Sequence, residues 1–151
     1  MATARRSRTV PAAPQRVWEL IEDPHHMARW WPGVVRMEGV HDDRFTQVFV
    51  TKKGRPVRAD FHVLASEPPD AAGAGSGRRC WEQEIPGTPF ERVLHESVIE
   101  VRLEEAPEGT RVTISQRQKL RGYSRTGGFM LRRATASKLD EALDGLERIC
   151  G

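Results

Sequence analysis

Cysteine is almost missing from this chain, and long apolar runs are missing altogether. Cys80 and Cys150 are the only two thiols, and they match no metal or redox spacing. Reduced thiols in a cytoplasmic protein are therefore expected. Whether the two could meet in space stays open, because a disulfide depends on a separation that spacing does not give. No stretch approaches the ~18 uncharged apolar residues of a membrane span. The opening MATARRSRTV is basic but leads into no apolar segment, so no secretory signal is expected.

Charge of one sign is also not concentrated anywhere. Lys and Arg total 24 against 21 Asp and Glu, a formal net charge of +3. The short basic clusters Arg5-Arg6, Lys52-Lys53 and Arg132-Arg133 lie among acids, as does the looser series Arg117, Lys119, Arg121 and Arg125. This dispersal reads as a solvated surface and argues against nucleic acid or an anionic membrane as partner. No GxSxG elbow or sequence-local nucleophile arrangement is present. Gly73, Gly75 and Gly77 precede a strand instead of opening a helix, so they predict a hairpin loop and not a phosphate cradle. His25 and His26 point apart on a helix and lack a Cys/His ligand pattern, so no metal or other cofactor is expected.

What remains is an ordinary soluble composition, 38% hydrophobic and 30% charged over 151 residues. That length predicts one domain, residues 1–151, burying roughly 70% of its extended-chain surface. Arg5 to Val10 reads as a strand ended by Pro11 to Pro14. Pro14 suits the first turn of a helix to Glu22, with Val17, Trp18 and Ile21 on its buried side. Asp23-Pro24 repeats the start signal for a second short helix, His25 to Trp31, which stops at Pro32-Gly33. Period-two alternation then predicts strands at Val34–Val40, Phe45–Thr51, Pro56–Ser66, Arg79–Ile85, Leu94–Glu104 and Arg111–Leu120. Turn-like separators between them argue for an antiparallel meander.

The last stretch, Gly127 to Cys150, is helical. At about 100° per residue, Leu131, Thr135, Leu139, Ala142, Leu143, Leu146, Ile149 and Cys150 share an arc of about 120°. Arg132 and Thr135 interrupt its apolar character in the first two turns. A curved sheet gripping this helix would satisfy both apolar faces, which gives an α+β layout.

The run VPAAPQRVWELIEDPHHMARWWPGV, Val10 to Val34, resembles the opening of the START-like (SRPBCC) helix-grip superfamily. Its likeness is to the small bacterial polyketide cyclase/dehydrase-type proteins. Pro14, Val17, Trp18, Asp23, Trp31 and Pro32 carry the resemblance, with the Gly109-Thr110-Arg111-Val112 hairpin and the final helix in their expected places. The resemblance implies a curved antiparallel sheet wrapped around the long C-terminal helix, with a deep cavity between them for a hydrophobic or aromatic, lipid- or polyketide-like molecule. It also implies an alternative role as an aromatase/cyclase catalysing aldol condensation and dehydration. Aromatase relatives carry an arginine late in the strand occupied here by Pro56–Ser66, and a tyrosine after the Trp-Pro pair. Val63 and Glu38 stand near those places here.

Alternation predicts the cavity lining. Phe45, Gln47, Phe49, Val57, Ala59, Phe61 and Val63 should face inward, as should Trp81, Gln83 and Ile85. The next two strands should add His95, Ser97, Ile99 and Val101, then Val112, Ile114, Gln116 and Gln118. Phe129, Arg132, Thr135 and Leu139 should close the space from the helix. So many neutral polar groups on one inner face suit a wet pocket better than a dry core. His95 is the expected acid or base, Arg132 the expected oxyanion partner near the helix start, and Tyr123 a third candidate. Trp30 and Trp31 are expected to pack, with one of them able to rim the pocket. Whether the protein is a monomer or a homodimer is left open.

Overall fold

Seven strands arise from the period-two part of the chain and form one antiparallel sheet. The computed structural model describes residues 2–69, 75–122 and 125–151; Gly73 and Tyr123 lie outside them. The strands are β1 (Ala2–Val10), β2 (Val34–His41), β3 (Arg44–Val50), β4 (Pro56–Glu67), β5 (Gly77–Gln83), β6 (Leu94–Ala106) and β7 (Gly109–Leu120). Their order across the sheet is β1-β7-β6-β5-β4-β3-β2. The last six therefore run as the expected meander, and β1 closes onto β7 from Ala2↔Gln118 to Val10↔Thr110. Alternation alone carries no signal for that last pairing, because it joins the two ends of the chain.

The helices are α1 (Pro14–Glu22), α2 (Met27–Trp30) and α3 (Arg125–Cys150). Pro14 occupies the first turn of α1, and Val17, Trp18, Leu20 and Ile21 are its buried side. The helix expected over His25 to Trp31 is instead a 3-10 turn, Pro24–His26, followed by the single turn of α2. Asp23 caps this start by accepting from the His25 backbone N–H at 3.0 Å, which satisfies a donor that has no partner inside the helix. A further 3-10 turn, Pro89–Arg92, fills the proline-flanked gap before β6.

α3 lies against the inner face of the sheet, touching β1 and β7, with α1 and α2 on its flank. Leu139, Ala142, Leu143 and Leu146 are fully buried there, within one core cluster that includes Val17, Trp18, Trp81, Val101, Val112 and Ile114. Close approach is built into the sequence at Gly145. A Cβ at that position would stand 2.6 Å from the Trp30 carbonyl oxygen and 2.8 Å from its Cα, inside any tolerable contact. Opposite this apolar seam, Asp140 pairs with Arg6 at 3.3 Å, and Asp144 and Glu147 both pair with Arg8. These exposed ion pairs orient α3 along β1 more than they stabilise it. Cys80 is buried and Cys150 half-buried, and both are free thiols.

Candidate functional site

Past Leu139, toward the start of α3, the core opens into a cavity of about 320 Å³. That volume sits at the lower end of the range for small-molecule sites. Its walls are Trp31, Gln47, Phe49, Val50, Thr51, Val57, Ala59, Phe61, Gln83, Phe90, Leu94, Ile99, Gln116, Gln118 and Lys138. The strand register explains the sheet side. Gln47↔Ala59 and Phe49↔Val57 pair across β3 and β4, Phe61↔Gln83 across β4 and β5, and Ile99↔Gln116 across β6 and β7. Each of these pairs therefore points to one face, as alternation requires. A broader depression of about 540 Å³ around Gly87–Pro89 and Arg121 is lined largely by polar and charged residues and does not reach this face.

Of the residues expected at the site, Gln47, Phe49, Phe61, Gln83, Ile99, Gln116 and Gln118 line the cavity. Phe45, Trp81, Ile114 and Leu139 face inward but form the core behind it. The Phe45 ring stacks on Phe61 at 5.4 Å and meets Trp81 edge-on at 6.3 Å, so it supports the wall without touching the space. Ser97 and Thr135 also sit behind the wall. Ser97 accepts from Gln116 Nε2 at 3.1 Å, and Thr135 donates to Gln118 Oε1 at 2.9 Å. Both fix the amide of a lining glutamine.

Three expected residues stand elsewhere. His95 is exposed, because β6 carries a bulge between Leu94 and Glu96 where it pairs with Leu120 and Lys119 of β7. The extra residue puts Leu94 on the inner face in place of His95. Phe129 and Arg132 are exposed on α3, which at that point has passed the end of the core. They line a separate surface groove of about 280 Å³ together with Arg5 and Arg6 of β1. Val63 faces inward beside Trp81, whereas Glu38 lies on the outer side, held by Arg58 and Arg36 with its carboxyl drawn down to about 2.

Lys138 was not anticipated. On the helical wheel it falls about 20° beyond the apolar arc, beside Leu131 and Ile149. In the structure it is half-buried, with Nζ 5.4 Å from the Phe49 ring centre and 5.7 Å from that of Trp31. Burial pulls its pKa below the ordinary lysine value, and the negative charge of Glu141 only partly offsets this. Phe90 and Leu94 were also missed, one inside a 3-10 turn and the other displaced by the bulge.

The polar atoms facing the cavity are incompletely paired. Gln47 donates to the Met27 sulfur at 3.4 Å, a weak acceptor. Gln83 Nε2 and Gln116 Oε1 have no hydrogen-bond partner. Buried polar groups are nearly always satisfied, so one unpaired donor and one unpaired acceptor on lining residues set this wall apart from a closed core. Arg79, a buried cation of the inner face, is paired in part, with its Nε left without a partner. Burial lowers its pKa too, but it donates to Ser66 Oγ at 2.7 Å and has Glu22 and Asp23 nearby.

No match was found among curated proteins. Solved structures of the same fold include the di-domain ARO/CYC protein StfQ from the steffimycin biosynthetic pathway, with a TM-score of 0.76 at 13% identity, covering 99% of this chain and 50% of that one. The di-domain ARO/CYC protein BexL matches with a TM-score of 0.74 at 20% identity, covering 98% of this chain and 46% of that one. This chain thus corresponds to about half of each di-domain protein. A Staphylococcus aureus protein of unknown function, SA2116, matches at 0.75 and 12% identity over 99% of this chain and 93% of its own. At these identities the likeness establishes the fold. A family model matches from residue 1 to residue 151, and the chain belongs to the family described as polyketide cyclase / dehydrase and lipid transport.

Proposed function

We propose that this protein binds a hydrophobic or aromatic small molecule in the cavity between the sheet and α3. One observation carries this reading: an apolar-walled space of about 320 Å³ lined also by glutamines whose amides are incompletely paired. Phe49, Phe61 and Ile99 would take the apolar body of the ligand, and the free amide groups of Gln83 and Gln116 would orient it. The test is binding of the neutral fluorescent probe N-phenyl-1-naphthylamine to the wild type and to Ile99→Trp, which fills the space. The wild type should bind, and the variant should bind at least tenfold more weakly (about 1.4 kcal/mol) while keeping its circular dichroism. A folded Ile99→Trp protein with unchanged affinity would sink the reading.

The family description and the likeness to ARO/CYC proteins favour a second reading, a cyclase that condenses and dehydrates a poly-β-ketone. Such a reaction removes an α-proton, adds the resulting enolate to a carbonyl carbon and expels water. His95 and Arg132, the groups expected to assist, are exposed outside the cavity. The role of base would fall to Lys138, whose burial favours the neutral amine, and that of enolate donor to Gln83. Turnover of a poly-β-ketone mimic should then vanish in Lys138→Met and survive in His95→Ala and Arg132→Ala. Loss of turnover in His95→Ala alone would overturn this assignment.

A further inference from the structure

We infer that the cavity selects ligands bearing a negatively charged oxygen, and that Lys138 is the residue that makes the selection. This rests on the cavity being the ligand site. Lysine is rarely taken out of water without a counter-charge, yet Lys138 is half-buried and, among the described residues, Glu141 acts on it through its charge without forming an ion pair. It is also the one ionisable side chain among the described residues that line the space. The rings of Trp31 and Phe49 hold its ammonium by cation–π attraction, which positions the charge without neutralising it. A snorkelling lysine would extend its head into water. Here the head lies 5.4 and 5.7 Å from two ring centres at the cavity wall, and its N–H donors are free for an incoming acceptor.

The neighbouring groups fit the same ligand. Gln83 Nε2 is a second unpartnered donor, able to bond the other oxygen of a carboxylate or a nearby carbonyl. Phe61 and Ile99 supply a flat apolar wall for the body that carries the acid. The ligand class is thus an aromatic or fused-ring molecule with one carboxylate, phenolate or enolate directed at Lys138. A charge-assisted hydrogen bond in such a site separates an acid from its neutral counterpart by about tenfold or more.

The experiment compares 2-naphthoate with 2-naphthamide, which share a ring system and differ in charge, as competitors of N-phenyl-1-naphthylamine. The wild type should prefer the naphthoate by about tenfold or more. Lys138→Met should bring the two within about twofold, and Lys138→Arg should keep the preference. Arg132→Met, changed on the outer groove, should also keep it. If Lys138→Met does not fold, Lys138→Gln serves the same comparison. Equal wild-type affinities, failure of the naphthoate to compete, or a preference that survives loss of the lysine overturns the inference and leaves the cavity reading intact. Failure of the neutral probe to bind the wild type overturns the cavity reading first and this inference with it.

Discussion

Along β6 and β7 the inner face changes character between one end and the other. At the Leu103↔Val112 end it is Val101, Leu103, Val112 and Ile114, each at most 1% exposed, against Leu139, Leu143 and Leu146 of α3. At the Ser97↔Gln118 end it is Ser97, Gln116 and Gln118, facing Thr135 and Lys138. Strands, helix and period are the same at both ends. What differs is whether polar atoms have partners and whether the helix fills the space opposite. The comparison teaches that one face can be a closed core and an open site at once, because packing is decided position by position along α3.

Breaking the closed end should have the largest effect. Leu143→Ala leaves a void in a fully buried position and should cost about 2–5 kcal/mol in urea denaturation, with probe binding retained in the folded fraction. Gly145→Ala pushes a methyl into the Trp30 backbone. It should cost about 1–3 kcal/mol by the same measurement, and a neutral outcome would mean that α2 is free to give way.

At the open end the sign should reverse. Lys138→Met removes a partly desolvated charge whose burial the neighbouring Glu141 only partly offsets, and should raise stability by about 1 kcal/mol, or about 3 °C in Tm. Its pH dependence follows from the direction of the pKa. Below the lowered folded value Lys138 is charged in both states, and its burial is a full cost. Between that value and the ordinary lysine value only the unfolded chain holds the proton, so the cost shrinks as pH rises and is gone above both. The advantage of Lys138→Met over the wild type should therefore narrow toward alkaline pH; a constant advantage would place the effect in packing instead of charge. The smallest change belongs to His95→Ala, which lies outside both regions and should shift stability by no more than about 0.5 kcal/mol.

Much of this arrangement is written in local patterns. Pro14 and Glu22 bound α1 as read, since proline geometry and apolar spacing are short-range signals. The inward rows of β3, β4, β5 and β7 follow from alternation, because one face had to meet α3. The site was less legible for reasons that are not local. No residue identity announces the bulge that turns His95 outward. The helical wheel says which side of α3 is apolar, but it cannot say where along its length the sheet ends. Arg132 was therefore placed in a cavity it does not reach, and Lys138, which lies near two aromatic rings of the wall, was not singled out.

The bulge at Leu94–Glu96 decides the chemistry of one part of the cavity wall. Side-chain direction in a strand is a matter of parity, and an extra residue inverts parity on one side of itself only. Everything from Ser97 onward stays in step with β7, while Leu94 and His95 exchange faces. A strand of this same sequence that ran without the bulge would present an imidazole to the cavity where this one presents an isobutyl group. The pairing at this one spot therefore decides whether the lining is inert or ionisable, with no change in residue identity.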